Sequence, residues 1–184
     1  LIPIRLRADV TTPDTHELLR PPYTTPDSVR ISGARSILEN LDEWPTELFR
    51  SLNLTDSVGV EVGLIDTLRN LVDREIDGTT VVAVSREFTG ATREVEVIIE
   101  GAPSTEKFVT LEPSRLTVRY RVLLSEFRES QRAPDFFATV KYDEIRSDTT
   151  GRVKPRLNPP ANLTLRDIQW SPTSLRYFNY LANN

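Results

Sequence analysis

Apolar and polar residues alternate with a period of two along much of this chain. In residues 2–10, Ile4, Leu6 and Ala8 alternate with Arg5 and Arg7. Successive side chains of a β-strand point to opposite faces, so this pattern is typical of a strand with one buried face. Further strands are predicted at 29–32, 47–52, 58–64, 79–88, 94–100, 116–122, 136–142, 151–158, 163–168 and 174–180. The sequence therefore predicts an all-β fold.

Helical spacing of apolar residues is confined to two short stretches. In residues 34–41, Ile37, Leu38 and Leu41 could share one helix face, and a second short helix is predicted at 125–132. We therefore expect only minor, short helices beside the strands.

A weak internal repeat divides the chain into two halves. Residues 2–10 match 93–101, residues 26–31 match 113–118, and residues 48–52 match 136–140. The second of these matches opens with proline in both halves, which is tolerated at the entry of a strand. The sequence Thr-Gly-Ala-Thr at 89–92 is interpreted as the connector. We predict two tandem small β domains, residues 1–90 and 91–184.

The composition removes several function classes. The chain has one histidine, no cysteine and a formal net charge of −4. Without cysteine there is no thiol nucleophile and no cysteine-bound metal, and one histidine leaves little for acid–base chemistry. The net negative charge disfavours a nucleic-acid partner. This composition leaves little material for catalysis or for a metal site, and we expect no catalytic residues, cofactor or metal.

Single acidic residues and the histidine do not change this prediction. His16 is expected in a polar loop without a second metal ligand nearby. The adjacent carboxylates of Asp42 and Glu43, and those of Asp143 and Glu144, are expected on strands, where neighbours face opposite sides. Neither pair is predicted to form the carboxylate pair of a glycosidase.

Basic residues form two rows on the predicted strands. Within each row the residues have the same parity and hence share a face: Arg115, Arg119 and Arg121 in the first, and Arg152, Lys154 and Arg156 in the second. The rows could form a cationic surface for a polyanion, a lipid headgroup or an acidic partner. They could instead pair with an acidic row of Glu94, Glu96 and Glu100, which is the interpretation we favour.

The order of these segments resembles the YbbR-like domain family. The first half carries Pro-Asp-Ser-Val-Arg-Ile-Ser-Gly at 26–33, followed by the spaced aliphatic residues of 37–41. The second half resembles Bacteroidetes-type members at 116–122, 137–142, 151–157 and 171–177. It departs from the family pattern where the Pro-led strand continues through Tyr120-Arg121-Val122 instead of ending at a glycine.

The resemblance implies a fold similar to the β-rich C-terminal domain of the L25/TL5 class of ribosomal proteins. It also implies a non-enzymatic, extracytoplasmic protein-interaction module, held at the membrane by an N-terminal anchor outside this chain. The expected partner is a membrane diadenylate cyclase, whose synthesis of cyclic di-AMP the protein would regulate.

Two alternative functions are a cell-surface adhesin or carbohydrate-binding module and an envelope scaffold. A carbohydrate site would need an exposed aromatic row including Trp44, Trp170 and Tyr177, whereas we expect these residues in the core. RNA binding through the ribosomal-protein-like fold is disfavoured by the net charge.

Overall fold

The structure, a computed structural model, describes residues 1–66, 68, 71–103 and 109–179. Strands dominate and the helices are short, so the all-β prediction is confirmed. The chain divides into two compact units, each defined by the contacts among its own residues: Leu1–Glu87 (unit 1) and Phe88–Asn184 (unit 2). The division predicted from the sequence lies between residues 90 and 91.

Unit 1 is built from short strands around a small apolar core. Its elements are β1 (Ile2–Val10), β2 (His16–Leu18), β3 (Tyr23–Thr25), β4 (Ser28–Val29), β5 (Ile31–Gly33), α1 (Arg35–Leu38), β6 (Trp44–Ser51), β7 (Ser57–Gly63), β8 (Val72–Arg74) and the first part of β9 (Gly78–Glu100). β1 pairs antiparallel with β4 and parallel with β6. β9 pairs antiparallel with β2, β3 and β7, and β5 pairs with β8. One cluster of buried core residues comprises Ile4, Val29, Trp44, Leu64 and Val72, and Phe49, Val81 and Ala83 are also buried.

Unit 2 begins with the second part of β9. Its other elements are β10 (Val109–Glu112), β11 (Arg115–Leu123), a 3-10 turn (Leu124–Glu126), α2 (Phe127–Arg132), β12 (Phe137–Lys141), α3 (Tyr142–Ser147), β13 (Arg152–Val153), β14 (Arg156–Asn158), β15 (Leu165–Ser171) and β16 (Leu175–Asn179). The strand order of its main sheet is β14-β12-β9-β11-β15, and a smaller sheet has the order β10-β16-β13. Alternate residues of β11, Leu116, Val118, Tyr120 and Val122, lie in the core.

The same strand pairings recur in the two units. The opening strand of each unit pairs antiparallel with the Pro-led strand and parallel with the strand after the first helical segment. In unit 1 Ile2 lies opposite Val29, and in unit 2 Val95 lies opposite Leu116. Pro26 and Pro113, which precede these Pro-led strands, both follow cis peptide bonds. This pairing makes Val95 the counterpart of Ile2, whereas the repeat predicted from the sequence aligns Ile2 with Arg93.

The predicted connector at 89–92 is wrong, because these residues belong to β9. Each of them lies opposite a residue of β11, from Thr89 opposite Val122 to Thr92 opposite Arg119. Threonine is a good strand former, and the glycine between them has open space around its Cα, so the ladder continues without obstruction.

Other strand predictions also need correction. The predicted strand at 29–32 is split into β4 and β5, which pair with β1 and β8. The predicted strand at 136–142 ends at Lys141, and Tyr142 begins α3. The predicted strand at 151–158 is split into β13 and β14, which pair with different strands, β16 and β12. Pro155 lies between them and has no N–H to donate to a ladder. The predicted strand at 174–180 corresponds to β16, and its last residue, Tyr180, lies outside the described residues.

Candidate protein-interaction surface

One face of the main sheet of unit 2 carries polar residues and faces solvent. Even-numbered residues of β11 are buried, so its odd-numbered residues point away from the core. Residues directly opposite one another in neighbouring strands share a face, which adds residues of β9 and β15. We call this surface the outer face. Its exposed residues include Thr92, Glu94, Glu96, Arg115, Thr117, Arg119, Gln169 and Ser171.

The outer face brings together part of the first predicted basic row and part of the predicted acidic row. Arg115 Nη2 lies 3.4 Å from Glu96 Oε1, and Arg115 Nη1 lies 3.7 Å from Glu94 Oε2. All three side chains are more than half exposed, so water and salt screen these ion pairs. In the described part of the chain, Glu100 makes no ion pair with this row.

Arg121 has a different environment at the far end of β11. Its Nη1 lies 3.7 Å from Asp167 Oδ2, and its Cζ lies 5.8 Å from the centre of the Phe88 ring. Arg166 also stacks over this ring, at 4.6 Å. The register between β11 and β15 shifts next to Asp167, whose φ is 50°. This bulge turns the Asp167 carboxylate toward Arg121.

Arg119 occupies the middle of the outer face. It lies opposite Thr92 in β9 and Gln169 in β15, neither of which is charged. Within the described ranges, no carboxylate forms an ion pair with Arg119. Thr117, Arg119, Gln169, Trp170 and Ser171 line a shallow depression of about 410 Å³. The guanidinium therefore offers its donors to solvent or to a binding partner.

The second basic row also remains together, although its predicted strand is split. Arg152, Lys154 and Arg156 are exposed, while Val153 and Pro155 between them are buried. We call these three residues the basic row. Arg156 Nη2 lies 2.6 Å from Glu144 Oε1. The basic row lines a second shallow depression, of about 420 Å³.

A network of hydrogen bonds around Asp148 orders the turn before the basic row. Its carboxylate accepts hydrogen bonds from Thr150 N (2.9 Å), Thr150 Oγ1 (2.8 Å), Arg152 N (3.1 Å) and the Tyr177 hydroxyl (3.1 Å). Desolvation by itself raises the pKa of Asp148, but these hydrogen bonds and one from Gly151 N outweigh it, so the pKa lies below its ordinary value. Desolvation and the bond to Asp148 raise the pKa of Tyr177.

The single histidine and the adjacent carboxylates make local contacts only. His16 lies in β2, not in a loop, because β2 pairs with β9; its Nδ1 is 2.9 Å from Thr15 Oγ1. Asp42 and Glu43 precede β6 and do not lie on a strand as predicted; Glu43 pairs with Arg5 at 2.6 Å, and Asp42 is exposed. Among the described residues, no three His, Asp or Glu side chains are grouped so that they could hold a metal ion.

Asp143 and Glu144 lie in the first turn of α3 and not on a strand as predicted. Carboxylates are favoured at a helix N-terminus by the helix dipole. The buried residues Tyr142 and Ile145 are three apart, which is a helical spacing. That spacing was the signal for α3 in the sequence.

The three aromatic residues of the carbohydrate alternative are part of the packed interior. Trp44 is buried and donates a hydrogen bond from Nε1 to Ile65 O (2.8 Å). Trp170 and Tyr177 are half-buried and pack against the core of unit 2. They do not form the exposed row that sugar stacking would need.

Sequence reasoning identified the arginines of the outer face but missed Thr117, Gln169 and Ser171. A signal for Thr117 was available, because it has the same parity on β11 as the arginines, whereas Gln169 and Ser171 lay beyond the predicted end of their strand at residue 168. Together, fold and surface define a chain of two compact β units with an exposed polar sheet face.

Comparisons of the chain with models of known protein families, with curated proteins and with solved structures gave no match. None of the helices in the described ranges has the length and apolar composition required to cross a membrane.

Proposed function

We propose that this chain works by binding another protein and has no catalytic activity of its own. The observation that carries the proposal is the outer face of unit 2. Small-molecule sites are concave and enclose most of their ligand, whereas the outer face is a sheet surface with a shallow depression. Arginine is enriched at protein interfaces, and Arg119 lies at the centre of this surface. Ile98, on the same face of β9, is 48 % exposed and adds an apolar contact.

The resemblance to YbbR-like domains supplies the identity of the proposed partner. A regulator of a membrane diadenylate cyclase in that family is extracytoplasmic and reaches the membrane only through an anchor, which here would lie outside this chain. Under this proposal the chain contacts the cyclase, changes the production of cyclic di-AMP, and binds no nucleic acid.

The alternatives are an envelope scaffold and a surface adhesin or carbohydrate-binding module. Packing of Trp44, Trp170 and Tyr177 against the cores weighs against sugar binding through these residues. A scaffold would also use the outer face but would leave cyclic di-AMP unchanged, so the two interaction functions are separated by one measurement.

The test is the level of cyclic di-AMP in cells that express a membrane diadenylate cyclase with and without this protein, produced from its complete gene. We expect the level to change with the protein and the change to be lost in Arg119→Glu. The matched control is Arg128→Glu, an exposed arginine of α2 outside the outer face. An unchanged level with the protein present and the cyclase active would refute regulation of the cyclase.

A further inference from the structure

Unit 1 carries a row of acidic side chains with the same sequence spacing as the basic row of unit 2. Asp73, Glu75 and Asp77 are exposed, whereas Arg74 and Ile76 between them are partly buried. We call the three carboxylates the acidic row. Both rows place three exposed charges at alternate positions, with buried or partly buried residues between them, which suits pairing of one row with the other.

The acidic row lies on an anchored backbone. β8 holds Asp73 opposite Ser32, and Glu75 N donates a hydrogen bond to Arg30 O (3.0 Å). Asp77 O accepts a hydrogen bond from Leu64 N (2.8 Å). The carboxylates are therefore presented from an ordered segment, which limits the conformational entropy lost on binding.

The acidic row is only weakly neutralised inside unit 1. Glu75 is 3.8 Å from Arg30, and Asp77, whose side chain is 92 % exposed, is 3.1 Å from Arg74. Asp73 has no ion-pair partner among residues 1–66, 68, 71–103 and 109–179. Each carboxylate keeps acceptor positions open to a second cation.

The basic row is in a comparable state. Burial of Val153 and Pro155 directs its three side chains outward, and only Arg156 has an ion pair, with Glu144, in the described part of unit 2. Asp148 lines the same depression as the basic row, and its carboxylate is ordered by the hydrogen bonds of its own turn.

The two units also differ in overall charge. Unit 1 has 9 basic and 15 acidic residues, a net charge of −6, and unit 2 has 14 basic and 12 acidic residues, a net charge of +2. Opposite net charges favour approach of unit 2 of one copy to unit 1 of another.

We propose that the basic row of one copy binds the acidic row of a second copy, head to tail. The occupant of the basic row is thus another molecule of this chain, and the contact is heterologous, because the two surfaces differ. Contacts between exposed charges are weak and screened by salt, so the association is concentration-dependent and falls with ionic strength.

Sedimentation velocity of the intact chain over a concentration series tests this. At about 0.01 M ionic strength, where screening extends over roughly 30 Å, we expect the weight-average mass to rise with concentration, and at about 1 M we expect the monomer alone. Reversal of the basic row (R152E/K154E) and of the acidic row (D73K/E75K) should each abolish self-association. A mixture of the two variants should associate again, since each supplies the row that the other has lost.

The matched control for R152E/K154E is R128E/R132E, two exposed arginines of α2 outside the outer face, which changes the net charge equally and leaves both rows intact. It should associate like the unmodified chain. Circular dichroism verifies folding, and R152Q/K154Q serves in place of R152E/K154E if that variant does not fold. The proposal fails if the unmodified chain stays monomeric at low ionic strength, if the mixed variants do not associate, or if the control loses association equally.

Discussion

Replacement of Arg93 by alanine should destabilise unit 2 strongly, because this side chain closes the end of a helix. Arg93 Nη1 donates a hydrogen bond to Ser130 O (2.7 Å), and Nη2 donates one to Ala133 O (2.9 Å). The last carbonyls of a helix have no partner within the helix, and these two belong to the end of α2. The guanidinium also lies 5.6 Å from the centre of the Phe136 ring.

The expected loss follows from these contacts. A hydrogen bond to a charged group contributes about 1.5 to 3 kcal/mol. Both bonds are partly buried, so water can reach the two carbonyls in the variant. The stability lost with each bond should therefore be near the lower end of this range. We expect Arg93→Ala to lower the free energy of unfolding of unit 2 by about 3 kcal/mol. Arg93→Lys, a point donor that cannot bridge two carbonyls, should lose about half of that.

Urea-induced unfolding, followed by circular dichroism and analysed by linear extrapolation, measures the loss. Hydrogen exchange detected by mass spectrometry should show that protection falls first in α2. The control is Arg119→Ala, an exposed arginine of the same unit, which should change stability by less than about 0.5 kcal/mol. If Arg93→Ala costs no more than this control, the two hydrogen bonds do not hold α2 in place and the reasoning is wrong.

Three further predictions concern single side chains. Ser85 is buried and its Oγ has no hydrogen-bond partner among the described residues. Ser85→Ala should therefore leave unit 1 equally stable in urea unfolding or stabilise it by up to about 1 kcal/mol. A clear loss of stability would mean that the hydroxyl has a partner. Asp167 has a φ of 50°, a conformation that asparagine tolerates better than alanine. Asp167→Ala should therefore lower the stability of unit 2 by about 1 kcal/mol, and Asp167→Asn should lower it by less. Equal losses for the two variants would contradict the argument. The depressed pKa of Asp148 stabilises unit 2 above the unfolded-state pKa near 4, and this contribution is lost as the pH falls through the folded-state pKa. Tyr177→Phe should raise the Asp148 pKa in a carboxyl-detected NMR titration, and an unchanged value would mean that this hydrogen bond does not contribute.

The strand β11 was predictable because its signal is local. Seven residues of alternation specified the strand, the buried face and the outward direction of Arg119 together. By contrast β3, β8 and β10 have three or four residues each, too few for a period to be visible. These short strands exist because a distant strand pairs with them, and single-sequence periodicity carries no information about that partner.

The alternation of apolar and polar residues was also not enough to align the two halves of the chain correctly. A shift of one residue would have moved every side chain to the opposite face, and alternation excludes it. A shift of two residues leaves every side chain on its own face, so alternation could not distinguish Arg93 from Val95 as the counterpart of Ile2. The register was decided by the antiparallel partner, since Val95 lies opposite Leu116.

The charge state of the outer face depends on cross-strand neighbours in the same way. Parity predicted that Arg115, Arg119 and Arg121 share a face, but their partners come from strands that the parity of β11 does not identify. Arg115 has two glutamates of β9 within reach, whereas Arg119 lies between threonine and glutamine. Identical residues on one strand therefore end in different electrostatic environments.

This difference determines what a partner of the outer face must provide. Arg115 already has carboxylate acceptors, so a partner gains little by replacing them. Arg119 must exchange water for acceptors of the partner, and burying it without them would leave a charge unpaired at considerable cost. A matching surface should therefore place a carboxylate opposite Arg119 and an apolar side chain near Ile98. Because the other charges lie exposed around this centre, salt should slow association more than it shortens the lifetime of the complex.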